Sequence, residues 1–258
     1  MLQQARLHRI QALLSTLKQV STEQIMKELA VSRETVRRDI IELEAKHLVK
    51  RVHGGIVSLD FPYQEPPLQV RQSARAKEKQ AIARRCIQLL RSGQTLFIDS
   101  GSTTAKLAEE LRSMSGLTII TNSLQVAFNL NQEDEQVSLK NEIILLGGSI
   151  QANAKETRGE ATINAIDRYR ADIALLSPVG INEEGASSYH SWESAIAEAM
   201  IRQSRQHIML ADHSKIGLVS RFVYAKPEQM NSIITDHQAA RHESLSMLEK
   251  TGTEIILA

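Results

Sequence analysis

A chain of 258 residues with 42% hydrophobic and 24% charged content has room for a small domain beside a medium one, in the balance of a globular protein. No apolar run exceeds four residues, which leaves no candidate membrane span or signal-peptide core and predicts a cytoplasmic protein. The net charge of +1 hides an asymmetry, because residues 1–60 hold ten Lys and Arg against seven Asp and Glu while the remainder holds 21 against 23. The N-terminal part is therefore the one suited to a polyanion. All nine aromatic residues follow position 60, which argues against recognition of single strands by base stacking in that part.

From Ala5 to Leu17, the residues Leu7, Ile10, Leu13, Leu14 and Leu17 recur at three- and four-residue steps and predict a helix with one apolar face. Ser21 with Gln24 forms a capping-box pattern, and Val20 with Ile25 forms a hydrophobic staple, so a second helix starts there. Its inner face is Ile25, Met26 and Leu29. Ser32 then caps a third helix, "SRETVRRDIIELE", which combines an apolar stripe of Val36, Ile40 and Leu43 with Arg33, Arg37 and Arg38. In "HLVKRVHGGIVSL" the paired glycines between two apolar runs predict a β-hairpin. Three helices followed by a hairpin is the plan of a winged helix-turn-helix, assigned to residues 1–58.

Residues 59–75 hold three of the five prolines and read as an extended linker. Over residues 76–258, the amphipathic "AKEKQAIARRCIQLL" precedes seven short apolar runs, "TLFIDS", "LTIITNS", "EIILLGG", "ADIALL", "HIMLAD", "SIITD" and "EIILA", alternating with helical patterns. Such runs suit strands buried on both faces of a mostly parallel sheet, so this part is predicted to be an open α/β domain. Cys86, the single cysteine, falls in an amphipathic pattern with Ile82 and Leu89 and reads as a buried thiol.

The loop "DSGSTT", Asp99 to Thr104, joins a buried strand to a helix, and backbone N–H groups at such a helix start suit a phosphate or carboxylate. Capping of the helix by Ser102 or Thr103 is the other reading of the same residues. Further strand ends are polar too: "TNS" at Thr121 to Ser123, Gly147 and Gly148, and "ADHSK" ending at Lys215. In open α/β sheets the ligand crevice lies outside the carboxyl ends of the strands, where these groups can converge. His190, His213 and His237 lack metal-ligand spacing, and neither a Walker lysine nor a GxGxxG loop is present, so no metal or cofactor is expected.

These motifs in combination resemble the DeoR family of bacterial transcriptional regulators. The match runs through "STEQIMKELAVSRETVRRDIIELEAKHLVKRVHGGIV" and then "DSGSTT", "TNS", "LLGG", "ADHSKIG" and "IITD", covering nearly the whole chain. The resemblance implies a repressor of a carbohydrate-utilisation operon, with an effector domain similar in fold to ribose-5-phosphate isomerase and a phosphorylated sugar as effector. The DNA-facing set is then Ser21, Thr22, Ser32, Arg33, Thr35, Arg37, Arg38, Lys50, Arg51 and His53. The effector set is Asp99, Ser100, Gly101, Ser102, Thr103, Thr104, Asn122, Gly148 and Lys215. The chain departs from the family pattern at "SPVGI", at "GAS" and at "SYHSWE". The expected partners are a double-stranded operator, the sugar effector and further copies of the chain as a dimer or tetramer. The rival reading is an isomerase-like enzyme whose N-terminal helices serve assembly, with Glu193 or Asp212 as its base.

Overall fold

The structure is a computed structural model that describes residues 3–17, 19–46, 48–52, 54–58, 68–131, 141–151 and 155–258. The chain divides into two compact units, 1–64 and 65–258.

In the first unit, α1 (Gln3–Leu17) buries Leu7, Ile10 and Leu14, the stripe that the three- and four-residue spacing predicts. A short strand, β1 (Gln19–Ser21), leads into α2 (Thr22–Leu29), where the Ser21 hydroxyl accepts from the Gln24 N–H at 3.0 Å. After a left-handed turn at Ala30, Ser32 caps α3 (Arg33–Ala45) by accepting from the Thr35 N–H at 3.3 Å. The buried side of α3 is Val36, Asp39, Ile40 and Leu43. A carboxylate tolerates that position because Arg6 of α1 grips it through two hydrogen bonds, at 2.6 and 2.9 Å, tying the first helix to the third. Strands β2 (Val49–Val52) and β3 (Gly55–Ser58) form the expected hairpin, with Val52 opposite Gly55.

β1 pairs with the outer side of β3, so the wing is a three-stranded sheet in the order β1-β3-β2. Three residues are too few to show a period, which is why the sequence does not reveal this strand. The pairing accounts for Gly55: a Cβ there would lie 2.3 Å from the Val20 carbonyl oxygen.

The second unit opens with α4 (Leu68–Ser73) and α5 (Ala76–Ile87). The expected linker of residues 59–75 is thus corrected in part: residues 59–67 lie outside those described, whereas 68–73 are helical and anchored by Leu68, which is 2% exposed. Two carbonyls near the end of α4, those of Arg71 and Ala74, accept from the buried Lys79 ammonium of α5. Burial pushes that ammonium down to about 8.

Strands and helices then alternate: β4 (Thr95–Ile98), α6 (Ser102–Leu111), β5 (Thr118–Thr121), α7 (Leu124–Leu130) and β6 (Glu142–Leu145). A hairpin follows, β7 (Ser149–Gln151) and β8 (Glu156–Arg158), then α8 (Glu160–Ile166) and β9 (Ala171–Leu176). Next come β10 (Gly180–Asn182), β11 (Gly185–Ser188), α9 (Ser191–Arg202), β12 (Ser204–Leu210), β13 (Phe222–Ala225), β14 (Ser232–Thr235), α10 (Glu243–Lys250) and β15 (Glu254–Leu257).

Seven of these strands make one parallel sheet in the order β15-β14-β12-β9-β4-β5-β6, and they are the seven apolar runs. Alternate side chains enter two cores: Leu96 and Ile98 pack with Ile82 and Cys86 of α5 and Leu107 of α6, while Phe97 packs with Met200 of α9 and Leu248 of α10. Cys86 is buried as expected, and burial pushes its thiol up to about 12.

Since Leu43 is 1% exposed in the core of the first unit whereas Ile41 is 46% exposed, the two should respond differently to truncation. Leu43→Ala is expected to lower the opening free energy of residues 3–58 by about 2–5 kcal/mol in amide hydrogen exchange, and Ile41→Ala by less than about 0.5 kcal/mol.

Candidate functional sites: a basic helix face and a cavity at the sheet switch

On the first unit, the four-residue spacing of Arg33 and Arg37 puts both on one exposed side of α3, opposite the buried stripe. Arg38 is exposed beside them, and Thr35 sits at the capped start, its hydroxyl 2.9 Å from that of Ser32. Glu34 stands 3.8 Å from Arg37 and 3.5 Å from Arg38, in exposed pairs that hold the guanidinium groups only weakly. Ser21 and Thr22 lie at the start of α2, the former exposed and capping. Lys50 and Arg51 are exposed on β2, with Arg51 3.9 Å from Glu44. His53 lies outside the described residues.

On the second unit, the sheet grows to one side of β4 through β5 and β6 and to the other through β9, β12, β14 and β15. The strand order therefore reverses between β4 and β9, the place where open α/β sheets form a crevice. A cavity lies there, lined by Asp99 and Ser100 after β4, Asn122 after β5, Ser177 and Pro178 after β9, Glu156 of β8, Ser188 of β11, Glu193 of α9, Tyr224 of β13 and Arg71 of α4.

Asp99 bridges the crevice by accepting from the Ser177 N–H at 2.7 Å. Gly101, the N-cap of α6, is pressed so close to Ser177 that a Cβ would come within 2.5 Å of the serine's own. Three buried polar atoms of the lining residues, Asp99 Oδ1, Asn122 Oδ1 and the Tyr224 hydroxyl, have no hydrogen-bond partner among the described residues.

Of the effector set, the structure brings Asp99, Ser100 and Asn122 to the cavity wall. Ser102, Thr103 and Thr104 form the first turn of α6 rather than a loop, and all three are buried. Gly101, not Ser102 or Thr103, is the cap, and the Thr104 hydroxyl closes the turn by accepting from the Gly101 N–H at 2.9 Å. Gly148 is exposed beside Thr162, and Lys215 lies in the short turn after Asp212, both away from the lining. Asp212 itself accepts from the Ser214 N–H and hydroxyl at 3.1 and 2.5 Å, outside the cavity.

The unanticipated lining groups are Arg71, Glu156, Ser177, Ser188 and Tyr224, and Glu193, named in the sequence only as the base of the rival enzyme reading, lines the cavity with them. The "SYHSWE" segment explains part of this. The Trp192 ring stacks on His190 at 4.0 Å, lies under the Arg158 guanidinium at 4.6 Å and donates from Nε1 to Glu156 at 3.3 Å.

Burial, reinforced by the nearby Glu193 carboxylate, pushes both Asp99 and Glu156 up to about 7. Both carboxyls thus titrate near neutrality.

A helix-turn-helix with an exposed arginine face and, in the same chain, a parallel-sheet domain with a polar cavity at its switch point define a ligand-responsive DNA-binding regulator. Sequence comparison gives the family directly. The DeoR-like helix-turn-helix domain matches residues 6–61 and the DeoR C terminal sensor domain matches residues 74–237. The chain belongs to the DeoR family.

It is 32% identical over 252 residues to the HTH-type transcriptional repressor GlcR of Bacillus subtilis (strain 168), covering 96% of this chain and 95% of that one. It is 34% identical over 220 residues to the glycerol-3-phosphate regulon repressor of Escherichia coli (strain K12), covering 84% of each. Among solved structures, ribose 5-phosphate isomerase a of Methanocaldococcus jannaschii aligns over 55% of each chain at 15% identity with a TM-score of 0.39. Membership of a regulator family sets aside the isomerase-like enzyme: the chain is a transcriptional regulator.

Glu156 carries a testable consequence of its surroundings. Its carboxyl binds a proton more tightly in the folded chain, at about 7, than at the ordinary value of 4.5, so its contribution favours folding at low pH and is lost as pH rises through 7. Glu156→Gln is therefore expected to stabilise the ligand-free protein by up to about 3 kcal/mol at about pH 8, with the gain vanishing near pH 4, in melts across that range. An effect independent of pH would contradict this.

Proposed function

We propose that the chain represses transcription of a carbohydrate-utilisation operon, and that a phosphorylated sugar or sugar-derived metabolite bound in the sheet-switch cavity controls its hold on DNA. The observation that carries the first part is α3, whose buried side is locked to α1 and the wing while Arg33, Arg37 and Arg38 face outward. In this reading the N-terminal half of α3 enters the major groove. Ser32, Arg33, Thr35 and Arg37 reach base edges or phosphates, and Arg38 clamps the backbone. Ser21 and Thr22 at the start of α2 contact the flanking backbone, and Lys50, Arg51 and His53 of the wing lie over neighbouring phosphates or the minor groove. One such domain covers half a site, so the working form is a dimer or tetramer, assembled through the second unit. No helix among the described residues is long and apolar enough to cross a membrane, and action on chromosomal DNA puts the protein in the cytoplasm.

The second part is supported by the DeoR sensor domain itself and by the repressor names that the relatives carry. Asp99, Ser100 and Asn122 meet the sugar in the cavity, and the start of α6 from Gly101 to Thr104 offers the phosphate a helix N-terminus. Gly148 and Lys215, which lie outside the cavity lining, complete the proposed effector set. A ligand shifts DNA affinity only by its differential affinity for two arrangements of the protein, commonly about 1–3 kcal/mol of coupling.

Gel-shift titrations of an operator duplex and a scrambled duplex over a range of salt test the DNA-binding part. Arg37→Ala should weaken operator binding by about 1–3 kcal/mol and erase much of the preference over the scrambled duplex, whereas Arg38→Ala should weaken both duplexes alike and flatten the salt dependence. Binding that is insensitive to salt and to both substitutions would instead mark the basic face as a protein-docking surface.

A further inference from the structure

The cavity wall is unusual in sign for a site that is to hold a phosphorylated ligand. Three carboxylates, Asp99, Glu156 and Glu193, line it against one guanidinium, Arg71. Donors nearby are already engaged: the Ser188 hydroxyl donates to Glu193, and Glu156 receives Trp192 Nε1 at 3.3 Å and the Ser100 hydroxyl.

Asn122 adds an independent observation. Its Nδ2 donates to the Thr157 carbonyl at 3.1 Å, which fixes the amide, and the residue, 2% exposed, lines the cavity with a buried Oδ1 acceptor that has no partner among the described residues. Asp99 Oδ1 is a second buried acceptor without a partner among the described residues. A buried acceptor left unmatched costs about 1–3 kcal/mol, more where it is charged, so this wall calls for a group rich in donors and positive in charge. A sugar hydroxyl brings one donor and no charge. An ammonium brings three donors and a full charge. A metal cation is the poorer match, since no group of three His, Cys, Asp or Glu side chains among the described residues could hold one.

We infer that the phosphorylated sugar taken by this cavity is an amino sugar phosphate, its ammonium received by Asp99, Asn122, Glu156 and Glu193 and its phosphate by Arg71 and the start of α6. The inference rests on the reading of the cavity as a sugar-phosphate site. It also accounts for the crowding of carboxyls, whose mutual repulsion and burial hold Asp99 and Glu156 near neutrality until a cation enters. Tyr224, a buried lining residue whose hydroxyl has no partner among the described residues, would serve a ring hydroxyl of the same ligand.

The test is calorimetric titration of the full chain at neutral pH with glucosamine-6-phosphate, galactosamine-6-phosphate and mannosamine-6-phosphate, each beside its hydroxyl counterpart and its N-acetyl form. In at least one configuration the amino form should bind about tenfold more tightly than both companions, as a charge-assisted hydrogen-bond set predicts. In Glu156→Gln that margin should fall below about twofold. The comparison of the three ligand forms on the unsubstituted protein stands even where the variant does not fold. Hydroxyl or N-acetyl forms that bind as tightly as the amino form in every configuration would overturn the inference and leave the sugar-phosphate reading standing. Failure of all the phosphorylated sugars to bind would overturn both, and binding of unphosphorylated glucosamine, galactosamine or mannosamine as tight as that of its phosphate would overturn the phosphate's part.

Discussion

The reversal of strand order between β4 and β9 is the constraint on which the sensing half of this protein depends. Parallel strands that grow outward in opposite directions from a shared pair send their crossover helices to opposite faces, and the strand ends are left open between them. Here the gap is spanned by Asp99, whose carboxylate accepts from Ser177 across it, and it is narrowed by Gly101, where any side chain would strike Ser177. The same two contacts set the start of α6 and the place of Asp99 and Ser100 in the lining, which Asn122, held by the Thr157 carbonyl, joins from the end of β5. What is then added from elsewhere in the chain, Arg71, Glu156, Glu193 and Tyr224, turns a generic crevice into a site with a definite charge and donor balance.

The DNA-binding half works by a comparable division of a single helix. Val36, Ile40 and Leu43 of α3 are buried, and Asp39, beside them, is held by Arg6 through two short hydrogen bonds. Burying a carboxylate is tolerable because a guanidinium meets both of its oxygens. With that side fixed, the exposed arginines are carried on a rigid support, as groove recognition requires.

Much of this could be read from the sequence, and the reason is physical. Strands covered on both faces need no polar alternation, so the seven members of the large sheet appear as uninterrupted apolar runs. The helix caps at Ser21 and Ser32 are legible because a side-chain hydroxyl bonding the third residue on is a local event. β7, β8, β10, β11 and β13 are hard to find for the opposite reason: they are three or four residues long and several are polar or small, as in "ETR" and "GASS", so they show no period of their own, and β13 takes its register from β11, more than thirty residues earlier. Arg71 was hidden in a proline-rich stretch, on a helix that depends on Lys79 for its C-terminal hydrogen bonds. Glu156 faces the cavity because Trp192, 36 residues later, donates to it, and no local pattern carries that information.

The central claim is that occupancy of the sheet-switch cavity changes the grip of α3 on DNA. Fluorescence anisotropy of a labelled operator duplex with the full chain, titrated with a phosphorylated sugar that the chain binds, addresses it most directly. The account predicts a saturable change in DNA affinity of about 5–150-fold, abolished by Asn122→Leu, which replaces the acceptor at the cavity wall with an apolar branch. DNA affinity that stays constant while the sugar saturates the chain, or that changes equally in the variant, would contradict it.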